Sequence, residues 1–140
     1  MRKELVRGIR NKNPLNLEWG ATWVGLLPKE KRTDKRFCQF ESFFYGYRAA
    51  LILLSRTYRR RGWTTIESII KHFAPAPENN VDAYIEYVWK LTRIAPKEQI
   101  KMSRYFDIVK AMAQYECGSL PDPDALDEAF KSVTNVTNVT

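Results

Sequence analysis

Residues 42–58, SFFYGYRAALILLSRTY, contain the clearest helical pattern in this 140-residue chain. Their large apolar side chains recur at steps of three and four residues, which is the period of an amphipathic α-helix. Gly62 follows closely, and glycine commonly ends a helix because it accepts the left-handed backbone conformation. We therefore expect one long helix with a buried face formed by Phe43, Phe44, Tyr47, Ala50, Leu51, Leu54 and Tyr58.

The chain on the C-terminal side of this helix is also predicted to be helical. Thr64 and Glu67 form a capping-box pattern, Asn80 is a good N-cap, and Ser103 is a candidate cap. Prolines separate the segments, because proline cannot continue a helix interior. We expect further helices over residues 65–73, 81–93, 103–118 and 124–131.

The chain on the N-terminal side has a different character. Residues 21–27 and 36–41 are rich in aromatic and β-branched side chains, and a charged turn over residues 29–34 separates them. This arrangement predicts a short β-hairpin. The complete pattern indicates an α+β protein that is mainly α: an N-terminal loop, a small β-hairpin and then about five helices.

Length and net charge bound the architecture and the partner. A chain of 140 residues suits a single domain, which we place at residues 1–132, with a disordered low-complexity tail at residues 133–140. The formal net charge of +7 favours a polyanionic partner, and both nucleic acid and bacterial cell wall qualify. The basic residues follow no recognition-helix stripe, so nucleic acid is the weaker candidate.

Neither secretion nor a membrane span is indicated by the sequence. The N-terminal segment is charged and lacks the apolar core of a secretory signal peptide. No apolar run approaches the roughly 20 residues that a bilayer-spanning helix needs. We expect a monomer that is made in the cytoplasm and acts elsewhere after lysis or assembly.

Few metal or cofactor chemistries suit these residues. Cys38 and Cys117 match neither a zinc spacing nor a redox pair, so we expect two buried thiols, with one disulfide as the alternative. The single histidine, His72, argues against metal sites and against Ser–His or Cys–His catalysis. The scattered glycines form no phosphate-binding loop. We expect no metal and no cofactor, which leaves carboxylate chemistry as the catalytic option.

Glu116 is the glutamate whose position most suggests catalysis. It lies at a predicted helix C-terminus, where the helix dipole disfavours a carboxylate, and Tyr115 and Cys117 flank it. Both effects raise the pKa of a carboxyl group, as a general acid requires. Glu78 is a second candidate, in a loop that enters a helix. For either residue, a solvated or structural role is the alternative.

A loop rich in asparagine suggests a sugar ligand. Residues 7–17, RGIRNKNPLNL, combine residues that accept positive φ with a proline that fixes φ, so we expect a defined loop and not a helix. Asn11, Asn13 and Asn16 offer amide donors and acceptors that suit a polar, uncharged ligand. The alternative, which composition alone favours, is that these amides bond only to their own backbone.

Aromatic side chains offer a second signal for a sugar ligand. Trp23, Tyr45 and Tyr84 are candidates to line a cleft, because aromatic faces beside amides suit stacking on sugar rings. The alternative for each of them is packing in the core.

A series of short motifs occurs in one order along most of the chain. The motifs are RGIRNxNPxN (7–16), WxG (23–25), DxxFxxF (34–40), YGxRA (45–49), TIxxII (65–70), APxxEN (74–79), YI (84–85) and ExG (116–118). This order resembles a family of phage and prophage proteins that are described as virion, structural or lysozyme-like. Each motif alone is weak, whereas the joint order is specific.

The resemblance implies a lysozyme-like helical fold and action on peptidoglycan glycan strands, at the cell wall or in a virion. Glu116 would then protonate the glycosidic oxygen, with Glu78 as the second catalytic candidate. Arg48 would pair with carboxylates of the peptide stems or orient Glu78. The substrate-binding residues would be Arg10, Asn11, Asn13, Asn16, Trp23, Tyr45, Arg48 and Tyr84.

Departures from the family pattern favour a second hypothesis. Glu18 stands where we expect a basic residue, and Tyr115 and Cys117 flank Glu116 where we expect histidine and asparagine. These differences favour a non-catalytic virion or cell-wall-binding protein of the same fold, with virion proteins as partners. Nucleic-acid binding is a third hypothesis, which a steep salt dependence of the affinity would distinguish.

Overall fold

The computed structural model describes the backbone of residues 6–139 and the side chains of residues 6–134. The protein is mainly helical, as predicted. Its helices are α1 (Arg7–Arg10), α2 (Phe43–Ile52), α3 (Ile66–Phe73), α4 (Val81–Thr92), α5 (Tyr105–Cys117) and α6 (Pro123–Val139). A π-helical segment, Leu53–Tyr58, continues α2, and short 3-10 turns occupy Lys29–Lys31 and Met102–Arg104.

The predicted long central helix is present, and it packs against α5 and α6. Tyr47, Ala50, Leu51 and Leu54 are all buried, as their spacing predicted. The segment changes from α-helical to π-helical geometry at Leu53, which the sequence pattern did not predict. The chain turns at Gly62, where φ is +83°.

Helix caps decide where the next two helices begin. Thr65, not Thr64, caps α3: its hydroxyl accepts the Ser68 N–H at 3.1 Å, and the Ser68 hydroxyl accepts the Thr65 N–H at 3.1 Å. The predicted cap was one residue early because the Thr64 hydroxyl bonds to Gln99 instead. Asn80 caps α4 as predicted, accepting the Ala83 N–H at 3.1 Å.

The last two helices differ from the prediction at their ends. Ser103 lies inside a 3-10 turn, and α5 begins without a side-chain cap. The helix α6 does not stop at residue 131, because Leu126, Ala129 and Val133 continue one buried face onto the core. The predicted disordered tail, residues 133–140, overlaps α6 as far as Val139, and the side chains from residue 135 onward lie outside the described residues.

The described residues form no sheet and have two isolated antiparallel bridges. The bridge of Leu26 with Phe40 joins the two predicted strands, whereas that of Glu18 with Phe37 involves a residue before the first of them. The reason lies in the second predicted strand, where residues 38–40 are buried in succession instead of alternating. The backbone N–H groups of Cys38 and Phe40 are donated to the asparagine loop, at Leu17 and Asn11. The segment therefore divides its backbone hydrogen bonds between that loop and residues 25–27, which bond to Gln39 and Glu41.

The asparagine loop is pinned to the helical core. Its first residues form the one-turn helix α1, where we expected only loop. Leu15 is fully buried, and Gly46 of α2 approaches the loop so closely that a Cβ there would lie 2.2 Å from the Lys12 carbonyl oxygen. Cys117 contacts the Pro14 carbonyl oxygen at 3.4 Å. The loop therefore lies against the end of α5.

Two further sequence expectations concern the cysteines and the membrane. Cys38 and Cys117 are both buried free thiols. Within residues 6–139, no helix combines the length and apolarity needed to cross a bilayer.

Candidate functional site

A cleft of about 390 Å³ lies between the asparagine loop, the π-helical end of α2, the end of α3 and the end of α5. Its polar lining includes Asn16, Glu18, Arg36, His72, Glu78 and Glu116. Trp23, Phe37, Leu53 and Tyr58 supply aromatic and aliphatic surface. The cleft therefore combines carboxylates with apolar faces in a space large enough for small ligands or sugar rings.

Glu116 lies at the C-terminal end of α5, shortly before the helix stops at Gly118 with φ +76°. Burial raises the pKa of its carboxyl group, and this effect outweighs the Asn16 hydrogen bond and the nearby Tyr84 hydroxyl, which both lower it. The Asn16 Nδ2 donates to Glu116 Oε1 at 2.9 Å. A half-buried carboxyl with a raised pKa is the state that a general acid needs.

Two buried polar atoms near Glu116 lack hydrogen-bond partners in the described part of the chain. They are Asn16 Oδ1 and the Tyr84 hydroxyl, which approaches Glu116 without completing a hydrogen bond of standard geometry. Burial and the Glu116 charge raise the pKa of Tyr84 well above its ordinary value. Unsatisfied buried polar groups are rare in proteins, so two beside one carboxyl make this position the candidate site.

Glu78 has the opposite environment in the same cleft. Its Oε1 lies 2.8 Å from Nη1 of Arg36, and the Arg36 Nε lies 2.8 Å from Glu18 Oε2. The hydrogen bond and charge of Arg36 hold the pKa of Glu78 below its ordinary value. Two carboxyl groups with pKa values displaced in opposite directions suit acid and base roles.

The charge of the cleft differs from that of the chain. Three glutamates and one arginine line it, whereas the whole chain has a net charge of +7. The excess positive charge, which favours a polyanionic partner, therefore lies outside the cleft. Residues 6–139 contain no group of three His, Cys, Asp or Glu side chains placed to hold a metal ion.

The chain is similar to Protein P5 of Pseudoalteromonas phage PM2. The two sequences are 37% identical over 123 residues, which cover 84% of this chain and 75% of the phage protein. The chain belongs to the P5 family. No family model matches it.

Four of the ten predicted site residues of this P5-family protein line the cleft: Glu116, Glu78, Asn16 and Trp23. A fifth, Tyr84, lies behind Glu116 and is fully buried, with its ring stacked on Tyr115 at 3.9 Å. The predicted general acid and one loop asparagine are thus brought together, although they are far apart in the sequence.

The other two loop asparagines have structural hydrogen bonds. Asn13 donates to the carbonyl oxygens of Leu17 and Cys38 and accepts the Leu17 N–H, each at 2.9 Å. Asn11 donates to Asp34 Oδ2 at 2.8 Å and accepts from Gln39. Neither side chain lines the cleft. Asn13 bonds to backbone groups, close to the stated alternative, whereas Asn11 bonds to two side chains, which neither hypothesis predicted.

The remaining predicted residues, Arg10, Tyr45 and Arg48, are not among those lining the cleft. Tyr45 packs over Gly25, where a Cβ would lie 2.1 Å from the tyrosine Cγ. The predicted partnership of Arg48 with Glu78 is replaced by the Arg36–Glu78 pair.

The sequence arguments for this P5-family protein missed Arg36, Glu18 and His72. The sequence did contain one indication of this cluster, because an acidic residue at position 18, where a basic residue is expected, predicts a cation nearby. Arg36 is that cation, and it joins Glu18 to Glu78. A single histidine argues against a metal site, but it does not argue against a hydrogen-bonding role for His72 in the cleft.

Proposed function

We propose that this protein is a phage-type peptidoglycan-degrading enzyme, a glycosidase or lytic transglycosylase with Glu116 as general acid. The observation that carries the proposal is the environment of Glu116: a half-buried carboxyl with a raised pKa, fixed by Asn16, in a cleft with a second, ionised carboxylate. We infer that the helical domain is lysozyme-like, spans residues 1–132 and acts as a monomer at the cell wall or in a virion.

Asn16 determines which oxygen of Glu116 carries the proton. Because its Nδ2 donates to Oε1, the proton of the neutral carboxyl lies on Oε2. Oε2 gives this proton to the glycosidic oxygen as the C1–O bond breaks, and the leaving sugar departs as an alcohol. Asn16 is therefore a positioning residue for the acid in addition to a wall of the cleft.

Glu78 supplies the negative charge in this mechanism. Arg36 keeps it ionised, so it stabilises the positive charge that develops on the sugar at C1. A water molecule, or an acetamido or hydroxyl oxygen of the substrate itself, then bonds to C1. The proton of an attacking water or hydroxyl passes to the Glu116 carboxylate, which restores the acid. Attack by the acetamido oxygen gives a cyclic oxazolinium ion, which a water then opens as it gives its proton to Glu116.

A specific observation favours a second candidate, a non-catalytic cell-wall-binding or virion protein. The residues that flank Glu116 have packing roles: Tyr115 stacks on Tyr84, and the Cys117 thiol contacts the Pro14 carbonyl oxygen. Neither supplies a polar group toward the cleft. In this alternative the cleft would hold a glycan strand without cleaving it.

Purified peptidoglycan separates the two candidates. The wild-type protein is incubated with insoluble sacculi, the soluble fraction is analysed by mass spectrometry, and the pellet is assayed for bound protein. The enzyme proposal predicts soluble muropeptides, whose reducing or 1,6-anhydro ends distinguish hydrolysis from transglycosylation. Protein that sediments with the sacculi but releases no fragments would contradict the enzyme proposal and support the binding protein.

A further inference from the structure

His72 lines the cleft but has no part in the acid–base chemistry proposed above. Although the residue is exposed, two contacts fix its ring. Its Nδ1 lies 2.8 Å from the Ser68 carbonyl oxygen, and its ring stacks on Trp63 with centroids 3.6 Å apart and planes 9° apart. An exposed side chain held in one orientation is preorganised, which lowers the entropic cost of binding a ligand.

Trp63 is itself held from two other directions. The Arg61 guanidinium lies 5.2 Å from its ring centroid, and the Tyr58 ring packs edge-on at 4.9 Å. Tyr58 also lines the cleft, so the stack of Trp63 and His72 is continuous with the cleft wall. The position of the imidazole therefore depends on the fold and not on α3 alone.

The contact with Ser68 fixes which nitrogen of the imidazole carries hydrogen. A carbonyl oxygen only accepts, so Nδ1 is the donor, and Nε2 of the neutral ring is an acceptor. Nε2 has no hydrogen-bond partner among residues 6–134. The ring therefore suits a ligand that offers O–H or N–H donors, as hydroxyl and acetamido groups of sugars do.

We propose that His72 is a glycan-binding residue of the cleft: its Nε2 accepts a hydrogen bond from a hydroxyl or acetamido N–H of an N-acetylhexosamine, while Trp63 holds the ring. The choice of a glycan rests on the proposed function. Binding through His72 does not require that the glycan be cleaved, so the two proposals fail separately.

NMR tests the proposal directly, because the chain contains one histidine. A uniformly ¹⁵N-labelled full-length protein is titrated with N-acetylglucosamine tetrasaccharide, and the imidazole nitrogens are followed in long-range ¹H–¹⁵N spectra. In a buffer in which the imidazole is neutral, Nε2 should resonate as the non-protonated nitrogen before glycan is added. With glycan, the Nε2 signal should move toward the hydrogen-bonded position, and Nδ1 should change less.

Two variants measure the contribution to affinity. His72→Phe keeps an aromatic face against Trp63 and removes Nε2, so the dissociation constant should rise about three- to tenfold, the usual effect of one hydrogen bond. Lys71→Ala is the matched control, since the neighbouring lysine does not line the cleft and pairs with Glu67. Its affinity should equal that of the wild type.

Each outcome has one meaning. An unchanged Nε2 signal, while the indole signal of Trp23 moves, would overturn the role of His72 alone. Absence of any tetrasaccharide binding would overturn this inference, whereas muropeptide release from sacculi would still decide the proposed function. A moving Nε2 signal together with weaker binding by His72→Phe supports the inference, even if the protein releases no muropeptides.

Discussion

Asn16 and Glu116 are 100 positions apart in the chain, and the Asn16 side-chain amide donates a 2.9 Å hydrogen bond to Glu116 Oε1. Asn16 adopts φ +54°, a left-handed conformation that asparagine tolerates better than most residues. The left-handed conformation at Asn16 therefore directs the Asn16 side-chain amide toward the end of α5. Replacing Asn16 with a residue that keeps this backbone conformation should therefore change the pKa of Glu116 and leave the fold intact.

Asn16→Gly preserves the left-handed backbone and removes the amide. The Asn16 hydrogen bond lowers the pKa of Glu116, so its loss should raise that pKa further. A general acid is active while protonated, so the alkaline limb of the pH–rate profile should move to higher pH. The maximal rate should fall about three- to tenfold because the proton is no longer directed to Oε2. An unmoved alkaline limb would contradict this coupling.

Glu116 should also destabilise the folded protein at neutral pH. Its pKa is raised in the folded state, so the folded protein binds the proton more tightly than the unfolded chain does. Stability from this group is complete below the unfolded pKa and is lost as pH rises through the folded pKa. In urea unfolding, Glu116→Gln should therefore gain stability relative to the wild type as pH rises from the ordinary pKa of glutamate, about 4.3, toward neutrality. Parallel pH dependences of the two proteins would contradict the raised pKa.

Asp34 anchors the loop through a buried carboxylate that is 4% exposed. It accepts two hydrogen bonds from Arg7 and others from Asn11 and the backbone, and the Arg7 contact holds its pKa far below the ordinary range. Asp34→Ala should cost about 2–3 kcal/mol of unfolding free energy, because the N–H donors lose a charged partner. Urea denaturation measures this loss. A change below about 0.5 kcal/mol, typical of surface sites, would contradict the anchoring role.

Two glycines with nearly equal φ allow the cost of a left-handed backbone to be measured separately from the cost of a steric clash. Gly25 has φ +85° and contacts Tyr45, whereas Gly62 has φ +83° and a Cβ added there would meet no atom within 4 Å. Gly62→Ala should cost about 1–2 kcal/mol from the left-handed backbone alone. Gly25→Ala should cost about 1–3 kcal/mol more, because its Cβ would overlap the Tyr45 ring. Equal losses in thermal unfolding would contradict the close packing of Tyr45.

The helices were largely predictable because their signals are local. Apolar spacing located α2, the cap at Asn80 located α4, and the glycine at 118 located the end of α5. The cap of α3 was misplaced by one residue because Thr64 and Thr65 are chemically equivalent in the sequence. Only the competing bond from Thr64 to Gln99, 35 residues away, distinguishes them.

The site was predictable only in part because its contacts are long-range. The position of Glu116 at a helix end was visible, and so was the unusual loop that contains Asn16. No local pattern indicates that Arg36 joins Glu18 to Glu78. Composition favours backbone bonds for the loop amides, but it does not distinguish Asn13, which makes them, from Asn16, which does not. Amide side chains look the same in a sequence whether they bind a ligand or a carbonyl group.

Muropeptide release by matched glutamate variants tests whether Glu116 is the general acid. Wild type, Glu116→Gln and Glu128→Gln are compared on purified peptidoglycan, Glu128 being an exposed residue of α6 that pairs with Lys131. We expect Glu116→Gln to stay folded and to lose at least about 100-fold in rate, as loss of a general acid does, while Glu128→Gln matches the wild type. Fragment release by Glu116→Gln at the wild-type rate would contradict the assignment of Glu116 as the acid.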